Sequence, residues 1–380
     1  MTTALLYDPI FLEHLTPPGH PENPQRAERP IEMLRALNWL EREGLVQLTP
    51  RAATVEELAA VHKPAYIHGI EAASRRVAEA HNGRKTRFFA TDVYVSAKSY
   101  EAAIKAAGAP LTAIDAIMRG DAHNAYCLVR PPGHHALPNE AMGFCFFNNV
   151  AIAARYAIDK YGLERVMIID YDVHHGNGTQ DAFYNDARVL YFSIHQAPFY
   201  PGTGASDERG EGAGLGTTIN VPLPEHTGFE TYEPVFRQVM APAADRFDPQ
   251  LILVSAGFDA HWKDPVGGMS LSTAGFAQLT KIIIDLANLL CKGRLVMVQE
   301  GGYNLDALAM CVCTCVNFLL GDDAAVDNLG PPPTAPFRIN TDALIAELRR
   351  IHQLTGYRMR NAAKPDIEQL RKEMKGPETI

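Results

Sequence analysis

Short apolar runs recur along the chain, without the polar alternation of a half-exposed strand. Ala4–Tyr7, Ala125–Val129, Val166–Tyr171, Val189–Ile194, Thr218–Val221, Leu251–Ser255 and Leu295–Gln299 are the clearest. A strand that is apolar on both faces is covered on both faces, as in a parallel sheet between helical layers. Between the runs lie stretches such as "SAKSYEAAIKAAGAPLTAIDAIMRG", rich in helix formers. Strand and helix in alternation predict an α/β fold: a central parallel β-sheet flanked by helices on both faces. No repeat, low-complexity tract or composition shift marks a boundary, so the expectation is one domain over residues 1–380. "LGPPPTAP" (Leu329–Pro336) reads as a rigid loop before a last helix, "DALIAELRRIHQL", and the charged tail after Lys364 is expected to fray.

Composition narrows the function classes. The net charge of −9 and pI near 5.9 offer no basic surface for nucleic acid; an acidic surface mildly favours cationic substrates. "MTTALLYDPI" has neither the basic segment nor the apolar core of a signal peptide, and no run approaches the roughly 18 apolar residues of a membrane span. Six cysteines form no CxxC pair, and Cys311, Cys313 and Cys315 fall in the apolar stretch "LAMCVCTCVNFLLG". Buried free thiols in a reducing, cytoplasmic setting are expected.

The polar residues at the strand ends do not fit a core. Val166–Tyr171 runs into "IIDYDVHHGNGTQ", which places Asp170, Asp172 and His174 beside buried positions. Burying carboxylates costs several kcal/mol unless they are paired or bind a metal. Asp172 and His174 are two apart, so in extended backbone they leave on one side. With Asp259 from "AGFDAHWKDP" they make an O,N,O set with room for a fourth ligand, the pattern of a catalytic zinc site. Ala125–Val129 leads into "RPPGHHALPNEAMGFCFFNN", where His134 and His135 can supply an acid and a base near neutral pH. Asp170 can orient one of these imidazoles from below. Leu295–Gln299 leads into "EGGYNL", whose two glycines allow a turn that aims the Tyr303 phenol at a carbonyl oxygen. Gly143, Phe144 and Tyr200 are candidates for the wall of a narrow channel to a buried metal.

"RPPGHHA", "GFCFFNN", "IIDYDVHHGNGTQDAFY", "SAGFDAHWKDP" and "QEGGYNL", in this order, closely resemble the zinc-dependent histone deacetylases of the arginase-deacetylase superfamily; "HPENPQRAERP" and "VHKPAYI" fit as well. The likeness covers roughly residues 15–325, leaving a C-terminal helix and tail over 340–380, and the "HGNGTQ" and "EGGY" forms are similar to class II enzymes and bacterial deacetylase-like amidohydrolases. It implies the arginase-deacetylase fold and one zinc on Asp172, His174 and Asp259. His134 and His135 would be the acid-base pair, with Asp170 and Asn177 as their partners, and Tyr303 would polarise the carbonyl. Phe144 and Tyr200 would sandwich an acyl-lysine stem, Asp92 would hold substrate amides at the rim, and Arg26 would sit in an internal cavity below the metal. A potassium ion would lie on Asp170, Asp172, His174, Ser193 and Ile194. Asn177 stands where class I has aspartate, which implies a lower pKa for His135 than for His134. Tyr200 stands where phenylalanine is usual. Val266 stands where polyamine-selective relatives carry an acidic gate. The expected activity is removal of acetyl or other acyl groups from lysine side chains, with acetylpolyamine hydrolysis as the alternative. An arginase-like ureohydrolase and a non-catalytic acyl-lysine binding module are more distant readings. Homo-oligomers are compatible with all of these.

Overall fold

All seven apolar runs become strands, and all seven lie in one sheet. The computed structural model describes residues 2–80 and 85–359, so the tail after Lys364 lies outside the described residues. In chain order the strands are β1 (Thr3–Leu6), β2 (Leu45–Leu48), β3 (Thr86–Ala90), β4 (Val93–Ser96), β5 (Asn124–Cys127), β6 (Val166–Asp170), β7 (Val189–Gln196), β8 (Thr218–Leu223), β9 (Leu251–Ala256) and β10 (Leu295–Gln299). Eight form a sheet ordered β2-β1-β5-β10-β9-β6-β7-β8, parallel at every pairing; β3 and β4 make a separate antiparallel hairpin. The helices of eleven residues or more are α1 (Gln25–Ala36), α2 (Pro64–Glu79), α3 (Ser99–Arg119), α4 (Asn149–Tyr161), α5 (Thr273–Cys291), α6 (Leu305–Leu319) and α7 (Thr341–Ile351).

The continuous apolar runs are explained by two cores, one on each face of the sheet. Met167 and Ile169 of β6, Ile252 and Val254 of β9, and Met297 of β10 point to one side, with Phe276 of α5, Cys311 of α6 and Ile345 of α7. Ile168, Leu253 and Val296, one residue out of phase, point to the other, with Ile67 of α2, Ile114 of α3 and Ile152 of α4. Each fully buried Leu, Ile or Val side chain contributes about 1.5–3 kcal/mol relative to exposure, so a one-residue slip of any central strand would exchange two well-packed faces. The six cysteines are all buried free thiols, as expected.

Helix α5 corrects one expectation. Its 19 residues, with a mean hydropathy of 1.3 over an 18-residue window, are long and apolar enough to cross a bilayer. Phe276, Leu279, Ile283 and Leu286 are instead buried in the first core.

Strands β5, β10, β9 and β6 are consecutive neighbours in the sheet. Their carboxyl ends are the four ends with anomalous polar residues. Ligands of open α/β sheets bind outside the carboxyl ends of the strands.

Candidate active site

Asp170 is the last residue of β6, and the chain then continues extended through Tyr171, whose ring turns into the core beside Phe258 and Phe276. This alternation sends Asp172 the opposite way, toward Asp259 beyond β9. His174 Nδ1 lies 3.0 Å from Asp172 Oδ1 and 3.2 Å from Asp259 Oδ2. Among the described residues these three form the one cluster of its kind, with donor atoms within 4.8 Å of one another, all buried. Backbone amides fix the carboxylates: Gly301 N donates to Asp172 Oδ2 at 2.8 Å, and Val173 N to Asp259 Oδ1 at 2.9 Å. Asp259 Oδ2 is buried without a hydrogen-bond partner. Burial, then the charge of Asp172, pushes the Asp259 carboxyl up, while His134 and His174 hold Asp172 down against its own burial. Two carboxylates, one of them with an oxygen left unpaired, and an imidazole around one point fit a divalent cation with one position open. A Cβ on Gly257 would come within 2.0 Å of Asp172 Oδ2, and one on Gly301 within 2.0 Å of Asp259 Oδ2. The sequence reading gave Gly301 to the Tyr303 turn; its nearer role is to let β10 approach the two carboxylates.

The histidine pair sits beside this cluster with its ring centroids 4.0 Å apart. His134 Nδ1 meets Asp170 Oδ2 at 3.1 Å, and His135 Nδ1 meets Asn177 Oδ1 at 2.8 Å, the partners expected from the sequence. Against burial, Asp172 and Asp170 raise His134 to about 10. Burial, then His134 and His174, lowers His135 well below the usual histidine range. The order of the two is as expected, but the reason differs: the Asn177 hydrogen bond works in the opposite direction. Two partners were missed. Tyr191 of β7 donates its hydroxyl to Asp170 Oδ2 at 3.0 Å. Glu300 Oε2 accepts from Gly133 N at 2.6 Å and His134 N at 3.2 Å, and burial pushes its carboxyl up to about 7. Glu300 ends an apolar run, the same signal that marked Asp170.

A tunnel of about 240 Å³ leads from the surface to His135, His174 and Tyr303, and Asp92, Gly143, Phe144, Tyr200 and Val266 line it as predicted. Phe199, which the sequence reading passed over, completes the wall, stacked on His174 at 5.1 Å between ring centroids. Phe144 meets Tyr303 edge-on at 5.8 Å, and Tyr200 meets His135 edge-on at 5.1 Å. Arg26, grouped with the channel on the basis of resemblance, is not part of this lining. It is fully buried, with its guanidinium 4.7 Å over the Tyr303 ring and Nε donating to Gly302 O at 2.7 Å. Its fork also reaches Glu22 and the carbonyl of Glu300, so every face it offers is engaged with protein. Asp170 and Ser193 are register partners on β6 and β7, with Ile194 next along β7; the Ser193 hydroxyl bonds His195 Nδ1 at 2.9 Å.

The comparisons with known proteins agree with this geometry. The profile of the histone deacetylase domain matches residues 20–319. A probable deacetylase of Archaeoglobus fulgidus is 39% identical over 306 residues, covering 80% of this chain and 82% of the relative. The histone deacetylase-like amidohydrolase of Pseudomonas aeruginosa is 37% identical over 342 residues, covering 85% of this chain and 87% of the relative. Human polyamine deacetylase HDAC10 is 42% identical over 319 residues, which is 81% of this chain but 46% of that one. Among solved structures, the HDA15 HD domain superposes with a TM-score of 0.82 at 32% identity, covering 98% of both chains.

Proposed function

The chain belongs to the histone deacetylase family and is a zinc-dependent deacetylase, and on that premise we propose that it removes acetyl or other acyl groups from lysine side chains of peptides or proteins. The observation that carries this reading is the convergence of Asp172, His174 and Asp259 at the floor of the tunnel, with the histidine pair and Tyr303 around the same point.

Asp172, His174 through Nδ1 and Asp259 through Oδ2 would hold one zinc ion per chain. Bound there, zinc supplies Lewis-acid polarisation of the substrate carbonyl and acidifies a water molecule. The chain's own groups do the rest. Tyr303 donates its hydroxyl to the carbonyl oxygen as negative charge develops on it. His135, held by Asn177, is placed to accept a proton from water, and His134, held by Asp170, to keep one. The pair then returns a proton to the leaving amine. Phe144 and Tyr200 flank the aliphatic stem, and Asp92 at the rim accepts from substrate amides. Asp170, Ser193 and Ile194 are the proposed potassium ligands, supported by the side-by-side placement of β6 and β7.

Hydrolysis of acetylated polyamines is the second reading, favoured by the likeness to HDAC10. Val266 weighs against it, because this position offers an apolar side chain where an acidic one would meet a distal ammonium; the carboxylate of the lining is Asp92. The deciding experiment is a panel of acetyl-, trifluoroacetyl- and longer acyl-lysine peptides beside acetylated putrescine, cadaverine and spermidine, each with and without a hydroxamate chelator. Chelator-sensitive turnover of the peptides supports the lysine reading, and preference for free polyamines overturns it.

A further inference from the structure

Asp264 lies five residues beyond Asp259, on the loop that carries Val266 to the tunnel, and is buried. Its two oxygens serve two different loops. Oδ2 accepts from Tyr303 N at 2.6 Å and Asn304 N at 3.0 Å. Oδ1 accepts from Val266 N at 3.0 Å and Gly267 N at 3.4 Å. Four backbone donors therefore converge on one carboxylate, and no other side chain of similar size offers acceptors in both directions. Tyr303 is the phenol aimed at the substrate carbonyl, and Val266 is a tunnel wall. Asn304 in turn caps α6 through Ala307 N at 3.0 Å, so the tyrosine is held between a helix start and this carboxylate.

We propose that Asp264 is a positioning residue that joins the tunnel wall to the carbonyl-polarising group, one oxygen setting Val266 and the other aiming Tyr303. The proposal rests on the role of Tyr303 given above. Asparagine offers a single oxygen. Facing the shorter pair, it keeps Tyr303 and Asn304 in place and turns an amide nitrogen toward the Val266 and Gly267 N–H groups. Asp264→Asn should therefore loosen the wall alone, while Asp264→Ala releases both loops.

The test is steady-state kinetics on one acetyl-lysine peptide for Asp264→Asn, Asp264→Ala, Tyr303→Phe and the double variant Asp264→Ala/Tyr303→Phe, with zinc content measured for each. Asp264→Asn is expected to keep kcat within about threefold while KM rises severalfold, the signature of lost binding without lost transition-state stabilisation. Asp264→Ala should lower kcat by about tenfold, yet change it by less than about twofold in the Tyr303→Phe background, because neighbours acting through one group are not additive. Equal kcat losses in the two Asp264 variants, or a full tenfold loss in the double variant, overturn the proposal. A Tyr303→Phe enzyme with wild-type kcat would instead remove the role of Tyr303 beneath it. Should the variants not load zinc, amide hydrogen exchange on the wild-type protein decides: the Tyr303, Asn304, Val266 and Gly267 amides should open as one unit, and independent rates refute the coupling.

Discussion

The floor of the tunnel and its wall are built by different means. Floor residues stand at or just beyond the ends of four adjacent strands, and backbone amides clamp their carboxylates. Wall residues come from four separate loops: Asp92 from the β3–β4 turn, Gly143 and Phe144, Phe199 and Tyr200, and Val266. Asp92 and Phe144 hold φ of 58° and 68°, a left-handed conformation that non-glycine residues seldom adopt. Sheet register sets the floor, so its geometry is common property of the fold. The wall is free to vary loop by loop. Chemistry should therefore fail when the floor is touched, and selectivity should drift when the wall is.

The hardest blow to the floor is loss of a ligand. Asp259→Ala should reduce both bound zinc and turnover, the latter on the order of 10³-fold, since several kcal/mol of charge stabilisation go with the metal. Metal analysis beside kinetics checks this; full activity with one ligand gone would break the division between floor and wall. Removing zinc with a chelator should silence the wild type in the same way, and zinc should restore it.

Tyr303→Phe comes next. It should cost about 10²-fold in kcat with zinc retained, the scale of one lost oxyanion donor. Asn177→Asp follows: a carboxylate beside His135 raises its proton affinity, so the acid limb of the pH–rate profile should move to higher pH, with little change above neutrality. Histidine NMR titration of the wild type should find His135 neutral across the range in which His134 is still protonated; the reverse order would sink the assignment of the pair.

The wall gives the smallest effects and the sharpest contrast. Val266→Glu should leave zinc content unchanged and shift the ratio of acetylspermidine to acetyl-lysine hydrolysis by roughly tenfold, the effect of one well-placed charge pair of about 1.4 kcal/mol. Tyr200→Phe should change KM by about threefold or less, since the ring and its edge contact with His135 remain. If Tyr200→Phe costs as much as Tyr303→Phe, the wall takes part in the chemistry.

The same contrast governs what could be read from the sequence. Double burial gave the seven strands, whose observed ends differ from expectation by at most two residues, and it exposed Asp170, Asp172 and Asp259 as carboxylates in apolar surroundings. Strand β2 escaped because it is a half-exposed edge strand, with no continuous apolar run to betray it. Glu300 carried the same signal as Asp170 and was legible in principle. Phe199 and the true place of Arg26 were not, because a loop aromatic looks like packing and a buried guanidinium is placed chiefly by carbonyls distant in sequence, with Glu22 its one near partner. Asp264 makes nothing but backbone contacts to its two loops, and no spacing rule in sequence encodes those.

The adjacency of β5, β10, β9 and β6 has a consequence for how the protein acquires activity. Its two outermost contributors in sequence, Asn124–Cys127 and Leu295–Gln299, are nearest neighbours in space, and between them the chain must lay down four other strands. Strands β6 and β9 pair directly, and β10 adds Gly301, whose amide donates to Asp172 Oδ2 and whose missing Cβ leaves room for both carboxylates. The three cation ligands all precede β10, but the amide that fixes Asp172 comes only with it. An ion bound there would tie together a topology of long-range pairings, the kind of contact that forms slowly.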